Sequence, residues 1–259
     1  MMASPTRQPV RSIVMYFLIA YSIAWTAWLT MFVGHFSPFA RPGTLLYLAA
    51  VFAPHASAVL CTVAQRGREG LRAFYGQVFR RVPFRWGIVA IFVPPLVYLA
   101  SDVIAVSLHQ PHGAIFHPPP RTLATLVLGQ SAVVLGEEPG WRGFALPRLI
   151  ERLGPNGGTL MLGVGWALWH LPLFAIPGTA QYHTPLLPFV ITVTAWSMVI
   201  TFLVLQSRSV IAAMLFHASA NVCDFTMWQP AGYLFGLGPW VVAAGIAGWR
   251  LRFRRAGYE

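Results

Sequence analysis

Eight long apolar windows, at residues 13–33, 44–64, 86–108, 122–138, 157–176, 186–206, 210–228 and 233–249, divide this chain of 259 residues. Each is roughly 17 to 23 residues long, close to the ~20 that a helix needs to cross a ~30 Å hydrocarbon core. The windows predict an all-α, polytopic transmembrane bundle of about eight spans. Only 10% of the residues are charged and 56% are hydrophobic, whereas a soluble domain carries roughly a quarter charged residues. The whole chain, 1–259, therefore reads as a single integral membrane domain with no separate soluble unit.

Every basic residue is an arginine. If both termini are cytoplasmic and the spans are even in number, only Arg41 and Arg121 of the 18 fall outside, a strong positive-inside bias that an odd number would destroy. The net charge of +11 thus reports topology, and a nucleic-acid partner has no support. The first window is too long for a signal peptide and lacks a small-x-small cleavage site before Gly34, so it is expected to remain as a span. Cys61 and Cys223 both lie inside windows and are expected as small buried hydrophobes, not as a disulfide. The arginine-rich link 65–85 predicts a cytoplasmic, partly amphipathic connector.

An ionisable group inside a membrane must face a cavity or a partner, so each one is a functional candidate. With the polar Asn221 added, the set is short: His55, Asp102, Glu137, Glu138, Arg142, His170, His217, Asn221 and Asp224. In GEEPGWRGF, residues 136–144, Glu138 and Arg142 stand four apart and can pair on one helix face, while Glu137 points about 100° away and is free for another task. Pro139 disfavours helical geometry at Glu138, which weakens the spacing argument. In GWALWHLP, Trp166 is placed to pack beside His170 one turn later. In FHASANVCD, His217 and Asn221 again stand at i and i+4, with Asp224 three further on, which gives that helix a hydrogen-bonding stripe. Counting ~1.5 Å per residue from the cytoplasmic ends puts Glu137 and His217 on the order of 10 Å deep and His170 about 15 to 20 Å deep. One cavity open to the cytoplasm can hold all three. His55 and Asp102 are expected as helix glue. His109, His112 and His117 are expected in a solvated external loop, and GYLFG at 232–236 has the GxxxG spacing of close helix packing.

Three of these motifs, in this order, resemble the CPBP glutamic intramembrane proteases, a family that includes type II CAAX prenyl endopeptidases and bacteriocin-processing and immunity (Abi) proteins. EEPGWR is similar to the family's EExxxR, WALWH to its FxxxH with Trp166 in the aromatic place, and HASAN to its HxxxN. The resemblance covers residues 122–228, which it implies are the catalytic core, and it implies an eight-helix membrane bundle. It implies that Glu137 is the general base that activates water with His170 as its partner, that Glu138 and Arg142 support it, and that His217 and Asn221 stabilise the oxyanion. No Ser-His-Asp pattern or HExxH motif is present in the windows, and a glutamate can serve amide hydrolysis directly.

Two other readings stay open from the residues alone. Glu137, His170 and His217 can supply three zinc ligands and leave a fourth place for water, although the metal-free mechanism with no cofactor is preferred. A transporter or non-catalytic scaffold is the alternative outside enzymes. A transporter would be expected to show interrupted helices in both halves, whereas the ionisable residues here concentrate in the fourth, fifth and seventh windows. The expected partners are the lipid bilayer and a peptide or membrane-associated protein substrate. A chain with arginine and no lysine suggests a GC-rich bacterial genome and a cell-membrane protein engaged in peptide maturation, immunity or regulated proteolysis.

Overall fold

The computed structural model describes residues 10–109, 118–227 and 233–252. His112, His117 and Gly232 of GYLFG lie outside them, as do Arg7, Arg254 and Arg255 of the topology argument. The regular structure of the described residues is helical, in the order α1 (Val10–Val33), α2 (Gly43–Val51), α3 (Ala53–Val78), α4 (Phe84–Ser107), α5 (Pro120–Glu138), a π-helical segment (Pro139–Ala145), α6 (Leu146–Trp169), a 3-10 turn (Leu171–Ala175), α7 (Leu186–Ser207), α8 (Val210–Thr226) and α9 (Tyr233–Arg252). The all-helical, multi-pass membrane architecture expected from the windows is what forms.

Among the described residues, four helical stretches are long and apolar enough to span a membrane: Val10–Val33, Phe84–Ser107, Pro120–Ala175 and Leu186–Ser207. Gly43–Val51 and Ala53–Val78, bent at 48°, make a fifth if they are one span. The second window is thus an elbow, broken between Val51 and Ala53. The fourth and fifth windows are joined through the π-helical segment into one 56-residue stretch, interrupted at Gly154, whose φ of 70° is open to glycine and costly for other residues.

The link at 65–85 has the expected amphipathic character and is largely helical. α3 continues through it past a break at Gly67, burying Gly70, Phe74 and Val78 at a four-residue spacing while Arg66, Arg68 and Arg72 stay exposed. The aromatic centre of the molecule lies where α1, the π-helical segment and α6 meet. There Tyr16 stacks on Phe144 at 5.1 Å and Trp28 meets Trp169 edge-on at 4.6 Å. Outward-facing Leu18, Leu96, Leu128 and Val242 are exposed, as lipid-facing side chains are. Cys61 and Cys223 are free and buried.

Candidate active site

Pro139 has no amide hydrogen and its ring crowds the carbonyl four residues back, so an α-helix cannot pass through it unchanged. The chain responds by widening. Residues Pro139–Ala145 form a π-helix, and the Leu146 amide donates to the Trp141 carbonyl five residues back. The expected loss of helical geometry at Glu138 does not occur, since its φ of −64° and ψ of −36° are those of a right-handed helix. The adjustment is made after the proline, and the one-turn pairing of Glu138 with Arg142 survives.

Glycines bring this segment against its neighbours. A Cβ on Gly136 would lie 2.7 Å from the Val51 carbonyl oxygen, and one on Gly140 would lie 2.4 Å from that of Pro54. Only glycine lets the backbone rest on the elbow between α2 and α3 this closely. With about 100° per residue, Glu138 and Arg142 then project nearly opposite the glycines, and Glu137 projects sideways. Gly136 and Gly140 carry a signal that the motif reading passed over, the GxxxG spacing of GEEPG.

The polar side chains meet between α5, α6 and α8. Glu138 Oε1 accepts from Arg142 Nη1 at 2.9 Å and from His217 Nδ1 at 2.8 Å. Glu137 Oε2 accepts from the indole Nε1 of Trp166 at 2.8 Å. Glu137, Glu138, Arg142, Trp166 and His217 are each no more than 3% exposed. Arg142 is therefore a core residue and leaves the count of loop charges, where the sequence reading had placed it. Its guanidinium carbon lies 4.3 Å from the Trp166 ring centroid, over the ring face, a cation-π contact.

Trp166 joins the groups. Besides Glu137 and Arg142, it meets His217 edge-on at 5.0 Å and His170 at 6.1 Å. The expectation of an aromatic ring beside His170 holds, and the indole N–H is the part it lacked, because a phenylalanine-like reading of this position contains no donor. His170 caps α6, where Nδ1 donates to the Trp166 carbonyl at 2.9 Å. In both histidines Nδ1 faces an oxygen that can only accept, so Nδ1 carries a proton.

Asn221 lies further along α8, half-buried, and its Nδ2 donates to Gln130 Oε1 on α5 at 2.7 Å. The sequence reading did not single out Gln130, although a glutamine two turns before Glu137 in an apolar helix was a usable signal. Asp224 is exposed on α8 and accepts from the Tyr98 hydroxyl of α4. His55 serves as glue between helices, as expected, through Leu135 and Tyr75. His109 is exposed at the end of α4. Among the described residues, no three His, Cys, Asp or Glu side chains are grouped so that they can hold a metal ion.

A multi-pass helical membrane protein that buries two adjacent glutamates, an arginine and two histidines around one indole has the makings of a membrane-embedded hydrolase. Residues 119–223 match the family model of type II CAAX prenyl endopeptidases, Rce1-like. Over 224 residues the chain is 24% identical to CAAX prenyl protease 2 of Methanococcus maripaludis, an alignment covering 80% of this chain and 82% of that protein. Over these residues the chain is similar to this family of membrane proteases.

Proposed function

We propose that the protein cleaves a peptide bond in a membrane-associated substrate, with water activated by Glu137. The observation that carries this reading is the inequivalence of the two carboxylates. Glu138 gives one oxygen to two charge-assisted bonds and is bound into the frame. Glu137 is held through Oε2 by a single neutral donor, which leaves Oε1 to take a proton from water. The hydroxide so formed attacks the scissile carbonyl carbon, the carbonyl oxygen becomes the oxyanion, and the proton passes through Glu137 or His170 to the leaving amine.

His217 and Asn221 are assigned to the oxyanion. His217 already donates from Nδ1 to Glu138, so donation from Nε2 as well requires its imidazolium form, whose charge, with that of Arg142, is balanced by the two carboxylates together. Asn221 has a second N–H beyond the one given to Gln130. In this mechanism Trp166 orients Glu137, and Glu138 with Arg142 orients His217. No metal takes part. The catalytic unit is residues 122–228, set in an eight-span bundle with both ends in the cytoplasm.

The name of the Methanococcus relative supports a prenylated CAAX peptide as the first substrate to test. The experiment is cleavage of a farnesylated CAAX peptide by the purified protein in detergent. Release of the C-terminal tripeptide by wild type and its loss in Glu137→Gln is the expected result. A Glu137→Gln protein that cleaves as fast as wild type would remove the assigned base.

A further inference from the structure

Pro139 creates a second problem, one helical turn before itself. In a regular helix the Leu135 carbonyl accepts from the amide of residue 139, and here that residue has no amide hydrogen. In lipid there is no solvent to take the place of a missing donor, so a neighbouring helix must supply one. His55 of α3 does so: its Nδ1 lies 2.9 Å from the Leu135 oxygen. A carbonyl only accepts, so Nδ1 carries the proton. The other ring nitrogen, Nε2, lies 3.0 Å from the Tyr75 hydroxyl, which donates to it and holds that tautomer in place.

We infer that His55 is a positioning residue for Glu137, standing in for the amide that Pro139 removes and clamping the end of α5 that carries Glu137 and Glu138. The inference rests on the proposed role of Glu137. The clamp sits two residues before Glu137 and next to Gly136, where α5 already lies against the α2–α3 elbow. His55 and the glycine contacts therefore act on the same stretch of backbone from the same side. The site needs this because proline is placed directly after the two glutamates. A helix end missing a hydrogen bond is free to fray, and a general base displaced by a fraction of an ångström loses its alignment with water.

Because the donor replaces a missing amide, restoring the amide should make it redundant. The full-length protein in detergent is compared as wild type, His55→Leu, Pro139→Ala and the double variant, with thermal unfolding as one readout and cleavage of the farnesylated CAAX peptide as the other. His55→Leu is expected to lower both melting temperature and kcat, the latter about five- to tenfold with KM nearly unchanged. In the Pro139→Ala background the same substitution should leave the melting temperature nearly unmoved. His55→Asn, whose side-chain N–H reaches much the same place as Nδ1, should recover most of the kcat lost in His55→Leu.

Equal melting losses for His55→Leu in both backgrounds would overturn the inference. So would a normal kcat in His55→Leu, or an Asn variant as slow as the Leu variant. The melting comparison does not depend on catalysis. If Glu137→Gln remains active while His55 and Pro139 are coupled in unfolding, the assigned base fails and the clamp stands as a fact of the helix; the reverse pattern sinks the clamp alone.

Discussion

Exchanging each neighbouring glutamate for glutamine separates a framework carboxylate from the one proposed to activate water. Glu138 is fully buried, and one of its oxygens holds both Arg142 and His217. Glutamine keeps an acceptor of the same size and removes the charge, leaving Arg142, 1% exposed, as a buried cation without its anion. Breaking one side of a buried pair costs about 3–5 kcal/mol. The Trp166 face at 4.3 Å still offsets part of that for Arg142, roughly 1–2 kcal/mol, which puts the expectation for Glu138→Gln near 3 kcal/mol, on the order of the low end. At about 2–4 °C per kcal/mol for a chain of this size, the melting temperature in detergent should fall by roughly 6–12 °C. Glu137→Gln removes no carboxylate that is hydrogen-bonded to Arg142 or His217, and its amide oxygen accepts from Trp166 as the carboxylate did. Its stability should change by less than about 1 kcal/mol while cleavage falls to background. Fluorescence-detected unfolding and peptide cleavage on the same preparations read both quantities. An unshifted melting temperature for Glu138→Gln would refute the ion-pair argument, and a large loss for Glu137→Gln would show that the two carboxylates share the structural task.

Trp166→Phe keeps the ring against His170 and His217 and deletes the donor to Glu137, so kcat/KM should drop about tenfold with little change in unfolding; unchanged kinetics would show that the indole does not hold the base. Gly140→Ala drives a Cβ to 2.4 Å from the Pro54 carbonyl oxygen, which cannot rotate away, and should cost about 1–3 kcal/mol in unfolding experiments. Asn221→Ala should lower kcat by on the order of 10² to 10³, and Gln130→Leu, which frees the Asn221 amide from its tether, by about tenfold; equal, small effects would take Asn221 out of the oxyanion site. Metal analysis of the active protein tests the mechanism from another side: stoichiometric zinc that disappears together with activity in His217→Ala would replace it with a metal-dependent one. Reporter fusions after residues 75 and 115 should report cytoplasm and exterior respectively, and a cytoplasmic signal at 115 would overturn the eight-span arrangement.

The membrane class and the all-helical architecture were legible because length and apolarity of a window are local properties of the chain. The convergence of the EEPGWR, WALWH and HASAN segments was legible for a different reason: polar groups this scarce in an apolar chain have few partners to choose from. Span boundaries were not, since a window records where lipid is tolerated and not where the backbone bends, as at the elbow after Val51 and the break at Gly154. Pro139 misled the local reading because its effect depends on the residues after it. A π-helical turn with Gly140 and Gly143 inside it takes up the distortion after the proline, and Glu138 before it keeps its helical geometry. The partner of Trp166 was hidden too, since the contact joins residues 29 apart in sequence and turns on which edge of the indole faces Glu137.

A charged cluster of this kind is a poor way to stabilise a membrane helix, because the desolvation of Glu138 and Arg142 consumes most of what their attraction returns. Its value lies in direction. By accepting from Arg142 one turn later and from His217 on another helix, Glu138 sets both the rotation of its own segment and the tautomer of the histidine opposite. Its rotation in turn places Glu137 about 100° to the side, where the Trp166 indole catches one oxygen. The order of the two glutamates therefore fixes a geometry that their pairing alone does not. Exchanging which of them meets Arg142 would require moving the arginine by one residue and turning the segment's glycine face away from the α2–α3 elbow, where neither Val51 nor Pro54 leaves room for a side chain.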